Sequence, residues 1–339
     1  MRYHLLLWLC VTGLFAGIVS AQDANSNACP SPFADEIANA SMMTVNQFSI
    51  SADDLAERVQ FERAYNAIKL ELEVAQIEAR AQSEEVDPAE LIADNPQVQQ
   101  ITAERDDPMV LGNRVLSDLA GDAVVWAYAE ENGLRVSQAQ FDATLDTFLE
   151  LNNETSTDER ERVIDAFSQP LLNAGTPPSQ ITTFFCRQAV YEQVQDAVLD
   201  NPDETLYVNA DHILVRSEAV AQDILNLLEA GDAFATLAQE LSLDVASAER
   251  GGALGWQPAI FYIDDFARAV RTAEIGLLSE PVETDFGWHV IRINGREMRQ
   301  IEGELRELVL STRFGRWRTE QIEEAEIRIN PDWQNALPG

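Results

Sequence analysis

The chain has 339 residues, 46% of them hydrophobic, which is enough to build about two ordinary domains and excludes an intrinsically disordered protein. Its 58 acidic and 23 basic side chains give a formal net charge of −35, so nucleic acid and anionic lipid would be repelled. Partners are therefore expected to be neutral, basic or apolar polypeptides; the alternative is that the acidity serves solubility alone.

Residues 1–21 have the pattern of a secretory signal peptide. Arg2 precedes an apolar run from Leu5 to Val19, and small residues at Ser20 and Ala21 follow where a signal peptidase cuts. An uncleaved membrane anchor is the alternative, although the run is short for a span of about 20 residues. We expect an extracytoplasmic protein, whether secreted, periplasmic or associated with the cell envelope, with no stable membrane span after cleavage.

Once this leader is removed, the chain keeps two cysteines, Cys29 and Cys186. Secretion places them in an oxidising compartment, where thiols tend to pair. A disulfide between them is expected. The alternative is two free thiols, with Cys186 a small buried hydrophobe beside Phe184 and Phe185.

The first part of the mature chain shows helical patterns. Ser51 with Asp54, and Ser137 with Gln140, have the spacing of helix capping boxes. Two amphipathic stripes indicate long helices; they consist of Tyr65, Ile68, Leu72 and Ala75, and of Leu116, Leu119, Ala120, Ala123 and Ala127. We expect residues 37–202 to form an all-helical module.

The pattern changes after this module. Val208–Val215 is typical of a strand, two helical stripes follow, and a glycine-rich loop, "RGGALGW", leads to a third short helix. The stretch "PVETDFGWHVIRINGRE" then predicts a strand, a turn and a strand. The three helical stripes are Val220, Ile224, Leu227 and Leu228; Phe234, Leu237, Ala238 and Leu241; and Phe266 and Val270. The order β-α-α-α-β-β predicts a small α+β domain at residues 203–298.

A long helix is predicted after the small domain. Its apolar stripe begins at Ile301, includes Leu305, Leu308 and Val309, and extends to Ile329. Because the small domain is complete by about Glu297, this stripe needs another surface, and the helical module is the nearest one. We therefore expect residues 299–339 to return to the helical module, with the small domain inserted between them. The predicted fold class is α+β.

Five motifs in the small domain occur in the order and spacing of one known family. They are "HILV", "LAQELSLD", "GGALGW", "DDFARAV" and "GLLSEPVETDFGWHVIRI", which lie within residues 207–297. This region resembles the parvulin family of peptidyl-prolyl cis-trans isomerases. The earlier stretch "VLSDLAGDAVVWAYAEENGLRVSQAQFD" is more weakly similar to the helical chaperone module of SurA-like and PrsA-like extracytoplasmic foldases. The resemblance implies a helical chaperone-like module that carries an inserted parvulin-like domain.

The parvulin family places two histidines side by side on neighbouring strands, and the matching positions here are His212 and His289. They are the only histidines after the leader. Strand parity puts His289 on the same face as Ile291 and Ile293, directed into the domain. Asp211 precedes His212 where many members have serine, which predicts a different electrostatic environment. A zinc site is the alternative, but the sequence lacks the ligand spacing of a zinc motif, so no metal and no cofactor are expected.

The resemblance also implies roles for five further residues. Asp244 matches a position that holds cysteine or aspartate, and Thr284 matches a threonine that bonds to the histidine pair. With the two histidines, they are the expected catalytic residues. Leu254, Tyr262 and Phe266 match the apolar pocket that receives the proline ring, with Tyr262 standing where many members have methionine.

Together, these features predict an extracytoplasmic peptidyl-prolyl isomerase and foldase whose partners are unfolded or X-Pro-containing polypeptides. Phosphate-reading members of the family carry a basic cluster after the first strand. Here "RSEAVAQD" has one arginine among acids, so a phosphoserine-proline substrate is not expected. The alternative function is a holdase chaperone whose parvulin domain binds peptide without significant catalysis.

Overall fold

The computed structural model describes residues 27–34, 41–84, 86–200, 203–277 and 280–338. They form two compact units: the first comprises the described residues up to Ala197 together with 318–338, and the second is Val198–Trp317. The predicted signal peptide lies outside the described residues. Within the described ranges, no helix is long and apolar enough to cross a membrane.

Helices make up most of the described part of the first unit. They are α1 (Ala52–Glu84), α2 (Pro88–Asp94), α3 (Pro96–Asp106), α4 (Pro108–Glu131), α5 (Gln138–Phe148), α6 (Thr157–Asn173) and α7 (Pro178–Val198). Both predicted capping boxes are confirmed: the Ser51 and Ser137 backbone N–H groups donate to the side chains of Asp54 and Gln140 at 2.8 and 2.9 Å. The predicted stripe on α4 is also confirmed, because all five of its residues are buried.

The predicted stripe on α1 is wrong. Leu72 is 58% exposed, and the buried face contains the polar residues Arg58, Glu62 and Asn66 in addition to apolar ones. Arg58 Nε donates to Glu62 Oε1 at 2.9 Å, and its Nη1 donates to Asp122 of α4 at 3.2 Å. Burial raises the pKa of Asp122 to about 6, although the charge of Arg58 opposes the shift. A pattern of apolar residues cannot reveal a helix face whose buried residues include charged side chains in ion pairs.

The first unit also contains a small antiparallel sheet that the prediction of an all-helical module missed. Strand β1 (Met43–Val45) pairs with β2 (Phe48–Ile50) on one side and with β8 (Ile327–Ile329) on the other. The segment predicted as one helical stripe from residue 301 to 329 therefore ends in a strand. Strands of three residues are too short to show a period-2 pattern, which is why the sequence did not reveal them.

Cys29 and Cys186 form a disulfide at a sequence separation of 157. It joins the described N-terminal segment to α7. Beside it, the Ala28 backbone N–H donates to the carbonyl of Val136 at 2.8 Å. The segment at the start of the described chain is thus attached to the helices by a covalent bond and a hydrogen bond.

The second unit is built on an antiparallel sheet. Its strands are β3 (Glu204–Val215), β4 (Ala253–Pro258), β5 (Gly276–Leu277), β6 (Val282–Thr284) and β7 (Gly287–Gln300). The order is β4-β3-β7-β5, and β6 also pairs with β7. The helices are α8 (Glu218–Glu229), α9 (Phe234–Leu241), α10 (Val245–Ala248) and α11 (Asp264–Thr272). The α+β class is confirmed, and the structure adds β4, β5 and α10 to the predicted order.

Two details of this unit differ from the sequence prediction. Ile224 of the predicted stripe of α8 is buried, but Val220 and Leu227 are 43% and 41% exposed, and Ala221 and Leu225 complete the buried face. The loop "RGGALGW" partly forms strand β4. Its Gly252 has φ +86°, and a Cβ there would lie 2.5 Å from the carbonyl oxygen of His212, so only glycine allows the loop to approach this strand.

The predicted terminal helix is α12 (Gly303–Glu324). Its residues Val309, Leu310 and Phe314 are buried, whereas Leu308 of the predicted stripe is 53% exposed. The boundary between the two compact units falls within this helix, after Trp317.

Candidate active site

Strands β3 and β7 bring the two histidines together. In their antiparallel register, His212 lies opposite Ile291 and His289 lies opposite Leu214. The histidines are therefore diagonal neighbours on one face of the strand pair, a distance that ring side chains can bridge. Their Nδ1 atoms are 3.0 Å apart, and both side chains are buried. The predicted inward direction of His289 is confirmed.

A short loop places Asp244 against the outer nitrogen of His212. The Leu243 backbone N–H donates to the carbonyl of Leu214 on β3 at 2.7 Å, and Asp244 then caps α10. The Oδ2 atom of Asp244 lies 2.8 Å from His212 Nε2. The hydroxyl of Ser247, one turn into α10, donates to the same Oδ2 at 2.5 Å and lies 3.1 Å from His212 Nε2.

Thr284, at the end of β6, lies on the other side of the pair. Its Oγ1 is 2.8 Å from His289 Nε2, and it accepts a hydrogen bond from the Phe286 backbone N–H at 3.2 Å. The tight turn between β6 and β7 holds the hydroxyl there, because Thr284 is paired with Gly287 across the two strands. The four predicted catalytic residues thus form one continuous set of contacts, the polar set.

With both imidazoles neutral and the Thr284 hydroxyl donating to His289 rather than to the Gly287 carbonyl 3.3 Å away, one arrangement of protons satisfies these contacts. A carboxylate only accepts, so His212 carries its proton on Nε2 and donates it to Asp244. His212 Nδ1 then accepts from His289 Nδ1–H, and His289 Nε2 accepts from the Thr284 hydroxyl. The hydrogen bonds run in one direction, from the Phe286 backbone to the Asp244 carboxylate.

The pKa shifts fit this arrangement. Burial, together with the charge that His212 would carry, lowers the pKa of His289 from 6.5 to about 4, so its imidazole is neutral at physiological pH. Burial opposes ionisation of Asp244, but hydrogen bonds from Ser247 and His212 outweigh it and lower the pKa of this carboxyl. The site therefore holds a fixed negative charge at one end and a neutral imidazole near the other.

The apolar residues predicted to form the proline pocket border the histidines. Phe266 presents its face or edge to both rings, with centroids 5.8 Å from His212 and 5.3 Å from His289 at steep interplanar angles. The Tyr262 ring lies 4.7 Å from that of Phe266, and Leu254 packs against the same cluster. All three residues predicted for the proline pocket are therefore brought together next to the polar set.

Asp211 does not disturb this site in the way the sequence suggested. As the neighbour of His212 on β3, it points to the opposite face of the sheet. There it accepts a hydrogen bond from Arg292 Nε at 2.9 Å, and the Arg292 guanidinium also lies 4.5 Å from the centroid of the Phe234 ring. Its charge is thus paired on the far side of the strand.

Residues 211–295 match the family model of the PPIC-type PPIase domain, described as rotamase. The chain carries a parvulin-type domain. Every residue of the polar set and the apolar pocket lies within this matched segment. The identity assigned from the five sequence motifs is confirmed for this part of the chain.

Two curated relatives match part of the chain. A probable parvulin-type peptidyl-prolyl cis-trans isomerase of Bordetella pertussis is 38% identical over 125 residues, which cover 34% of this chain and 48% of the relative. A foldase protein PrsA of a Geobacillus species is 37% identical over 100 residues, covering 30% and 36%. These matches span about half or less of each relative's length. The solved peptidylprolyl isomerase PrsA of Bacillus anthracis aligns at 21% identity and a TM-score of 0.43, covering 62% of this chain and 94% of that one.

Sequence reasoning missed Ser247, which contacts both His212 and Asp244. Its signal was the Asp-x-x-Ser spacing at the start of α10, which is typical of a helix cap. No group of three or more histidine, cysteine or acidic side chains in the described ranges is arranged to hold a metal ion.

Proposed function

We propose that this protein is an extracytoplasmic peptidyl-prolyl cis-trans isomerase that also acts as a foldase for secreted or envelope polypeptides. The observation that carries the proposal is the hydrogen-bonded set from Thr284 through the two histidines to Asp244, which borders the apolar side chains of Leu254, Tyr262 and Phe266. The family match to residues 211–295 supports it, as do the names of the relatives, one an isomerase and the other a foldase.

The chemistry needs no nucleophile and no cofactor. Rotation about an X-Pro bond breaks no covalent bond, and its barrier of about 18–20 kcal/mol comes from amide resonance. Leu254, Tyr262 and Phe266 would hold the proline ring and exclude water from the preceding carbonyl. Polar groups fixed beforehand then favour the twisted amide over the planar one, which lowers the barrier.

The polar residues divide this work. Asp244 keeps negative charge near the rotating carbonyl and disfavours the charge-separated resonance form of the planar amide. His212 and His289 hold each other in defined tautomers, and the Thr284 hydroxyl donates to the acceptor nitrogen of His289. Because each group is already bonded before the substrate arrives, little reorganisation is required when the amide twists.

The location and the foldase activity rest on other parts of the chain. The signal-peptide pattern at residues 1–21 and the Cys29–Cys186 disulfide both favour an oxidising, extracytoplasmic compartment. In this proposal the chaperone body comprises residues 37–202 and the part of 299–339 that follows Trp317, and the isomerase domain at residues 203–298 is inserted between them with the first part of α12 beside it. Exposed apolar side chains of the first unit, such as Leu72, Val110 and Phe148, offer contacts to unfolded clients.

A refolding assay separates this proposal from the holdase alternative. The client is a denatured protein whose slow refolding phase is limited by X-Pro isomerisation, and the chain tested is residues 22–339. We expect the protein to accelerate the slow phase and to suppress aggregation. Phe266→Ala should lose the acceleration and retain the suppression. Suppression without acceleration by the wild type would favour the holdase, and neither effect would refute both.

A further inference from the structure

A cavity of about 820 Å³ lies within the second unit, directly beside the parvulin site. Two candidate site residues, Tyr262 and Thr284, form part of its wall, and Phe286, which is 68% exposed, lies at its edge. The rest of the wall includes Thr312 and Arg316 of α12. Both α12 residues lie beyond the segment that matches the family model, which ends at residue 295. The site is therefore bordered by a part of the chain that the family motif does not contain.

Arg316 makes a direct contact with the proline pocket. Its Nη2 donates a hydrogen bond to the backbone carbonyl of Tyr262 at 2.8 Å. Tyr262 follows a single 3₁₀ turn (Ala259–Phe261) and has extended backbone angles of φ −76° and ψ 152°, so the turn does not direct its carbonyl into a helical hydrogen bond. The guanidinium thus bonds a backbone group in the connection between β4 and α11 that carries the Tyr262 side chain.

The orientation of Tyr262 matters for the pocket. Its side chain is 92% buried, as the residue is 8% exposed, and its ring packs on that of Phe266. A shift of the backbone at Tyr262 would change the space left for a proline ring, without changing the histidines, which are held by strands β3 and β7.

We infer that Arg316 is a positioning residue of the isomerase and that it fixes the Tyr262 wall of the proline pocket. The first part of α12 then completes the cleft that binds the polypeptide on either side of the X-Pro bond. This inference rests on the proposed function for the nature of the ligand. It assigns Arg316 to substrate binding more than to the chemical step, because the Arg316 side chain bonds the pocket wall and not the polar set.

The test uses residues 22–339 and four proteins. Arg316→Met keeps the aliphatic stem and removes all donors, and Arg316→Lys keeps one donor group. Arg313→Met is the matched control, since Arg313 lies on the same helix, away from this cavity, and has no described hydrogen bond or ion pair. The probe is a fluorescein-labelled ten-residue peptide with one X-Pro bond, and the readouts are its Kd, the KM and kcat of isomerisation, and the melting temperature.

We expect Arg316→Met to raise Kd and KM about three- to tenfold, the range for one lost hydrogen bond, with kcat changed less than about twofold. Arg316→Lys should recover at least half of the lost affinity, and Arg313→Met should match the wild type. Two outcomes would overturn the inference: wild-type Kd in Arg316→Met, or a melting temperature well below that of Arg313→Met, which would make the residue structural. If the wild type binds the peptide but does not isomerise it, the proposed activity fails, and the Kd values still decide the role of Arg316.

Discussion

Replacing Thr284 by valine tests the direction of the hydrogen bonds at the site. Valine has nearly the shape of threonine but cannot donate to His289 Nε2, which now receives the Thr284 hydroxyl at 2.8 Å. His289 is only 4% exposed, so its Nε2 loses the donor that the Thr284 side chain supplied. A buried acceptor left without a donor costs about 1–3 kcal/mol, so the free energy of unfolding of the isomerase unit should fall by that amount.

The same change should slow catalysis. Without the threonine donor, the proton of His289 is no longer confined to Nδ1, and the bond to His212 is weakened. If about half of the cost appears in the transition state, kcat/KM falls about two- to tenfold, since 1.36 kcal/mol corresponds to a factor of ten. Thr284→Ser keeps the hydroxyl and should restore most of the activity. Thr272→Val is the control, because Thr272 is exposed and its hydroxyl bonds only to the carbonyl of Arg268 within α11.

Nitrogen-15 NMR of the histidine rings provides the decisive readout, together with chemical denaturation and exchange spectroscopy on an X-Pro peptide. In the wild type at neutral pH, His289 should carry its proton on Nδ1 and His212 on Nε2. A His289 protonated on Nε2 would refute the proposed direction of the bonds. So would a Thr284→Val protein as stable and as active as Thr272→Val.

Three further results are expected. The isomerase unit should lose stability as the pH falls from about 6.5 to about 4. In that window the unfolded chain binds a proton at His289, whereas the folded chain, in which the pKa of His289 is lowered to about 4, does not. Thermal melts of the wild type and of His289→Gln over this pH range check the prediction, and equal pH slopes would contradict it. Replacing Cys29 and Cys186 by alanine should lower the unfolding free energy of the first unit. The chain-entropy model limits the loss to about 5 kcal/mol for a separation of 157 positions. An unchanged denaturant midpoint would show that the disulfide does not stabilise this unit. Arg58→Met should cost about 1–3 kcal/mol, because Glu62 and Asp122 lose their closest guanidinium and keep Arg114 and Arg187 as cationic partners; Arg80→Met, which breaks an exposed pair, should cost less than about 1 kcal/mol, and equal melting temperatures would count against the buried network.

The sequence was sufficient for features that depend on local pattern. The stripe from Leu116 to Ala127, both capping boxes and the inward direction of His289 follow from periodicity and parity, which the structure confirms. The pairing of His212 with His289 could not be derived from periodicity alone. It required the family resemblance, because the register of β3 with β7 depends on the whole sheet.

Features that depend on distant parts of the chain were not predictable in this way. The buried face of α1 carries Arg58 and Glu62, whose charges are paired with Asp122 and Arg114 of α4. Strand β8 forms only when β1 is present to pair with it, although the two are nearly 300 positions apart in sequence. Arg316 likewise has no local signal, because its partner is a backbone carbonyl on another element.

The central claim is that the polar set and the apolar pocket accelerate X-Pro isomerisation without a metal. The most direct measurement is the cis-to-trans rate of a short X-Pro peptide with residues 22–339, recorded by exchange NMR with and without a chelator. We expect a rate well above the uncatalysed one, unchanged by the chelator and lost in Phe266→Ala. An uncatalysed rate from the folded wild-type protein, or a rate that disappears with the chelator, would contradict the claim.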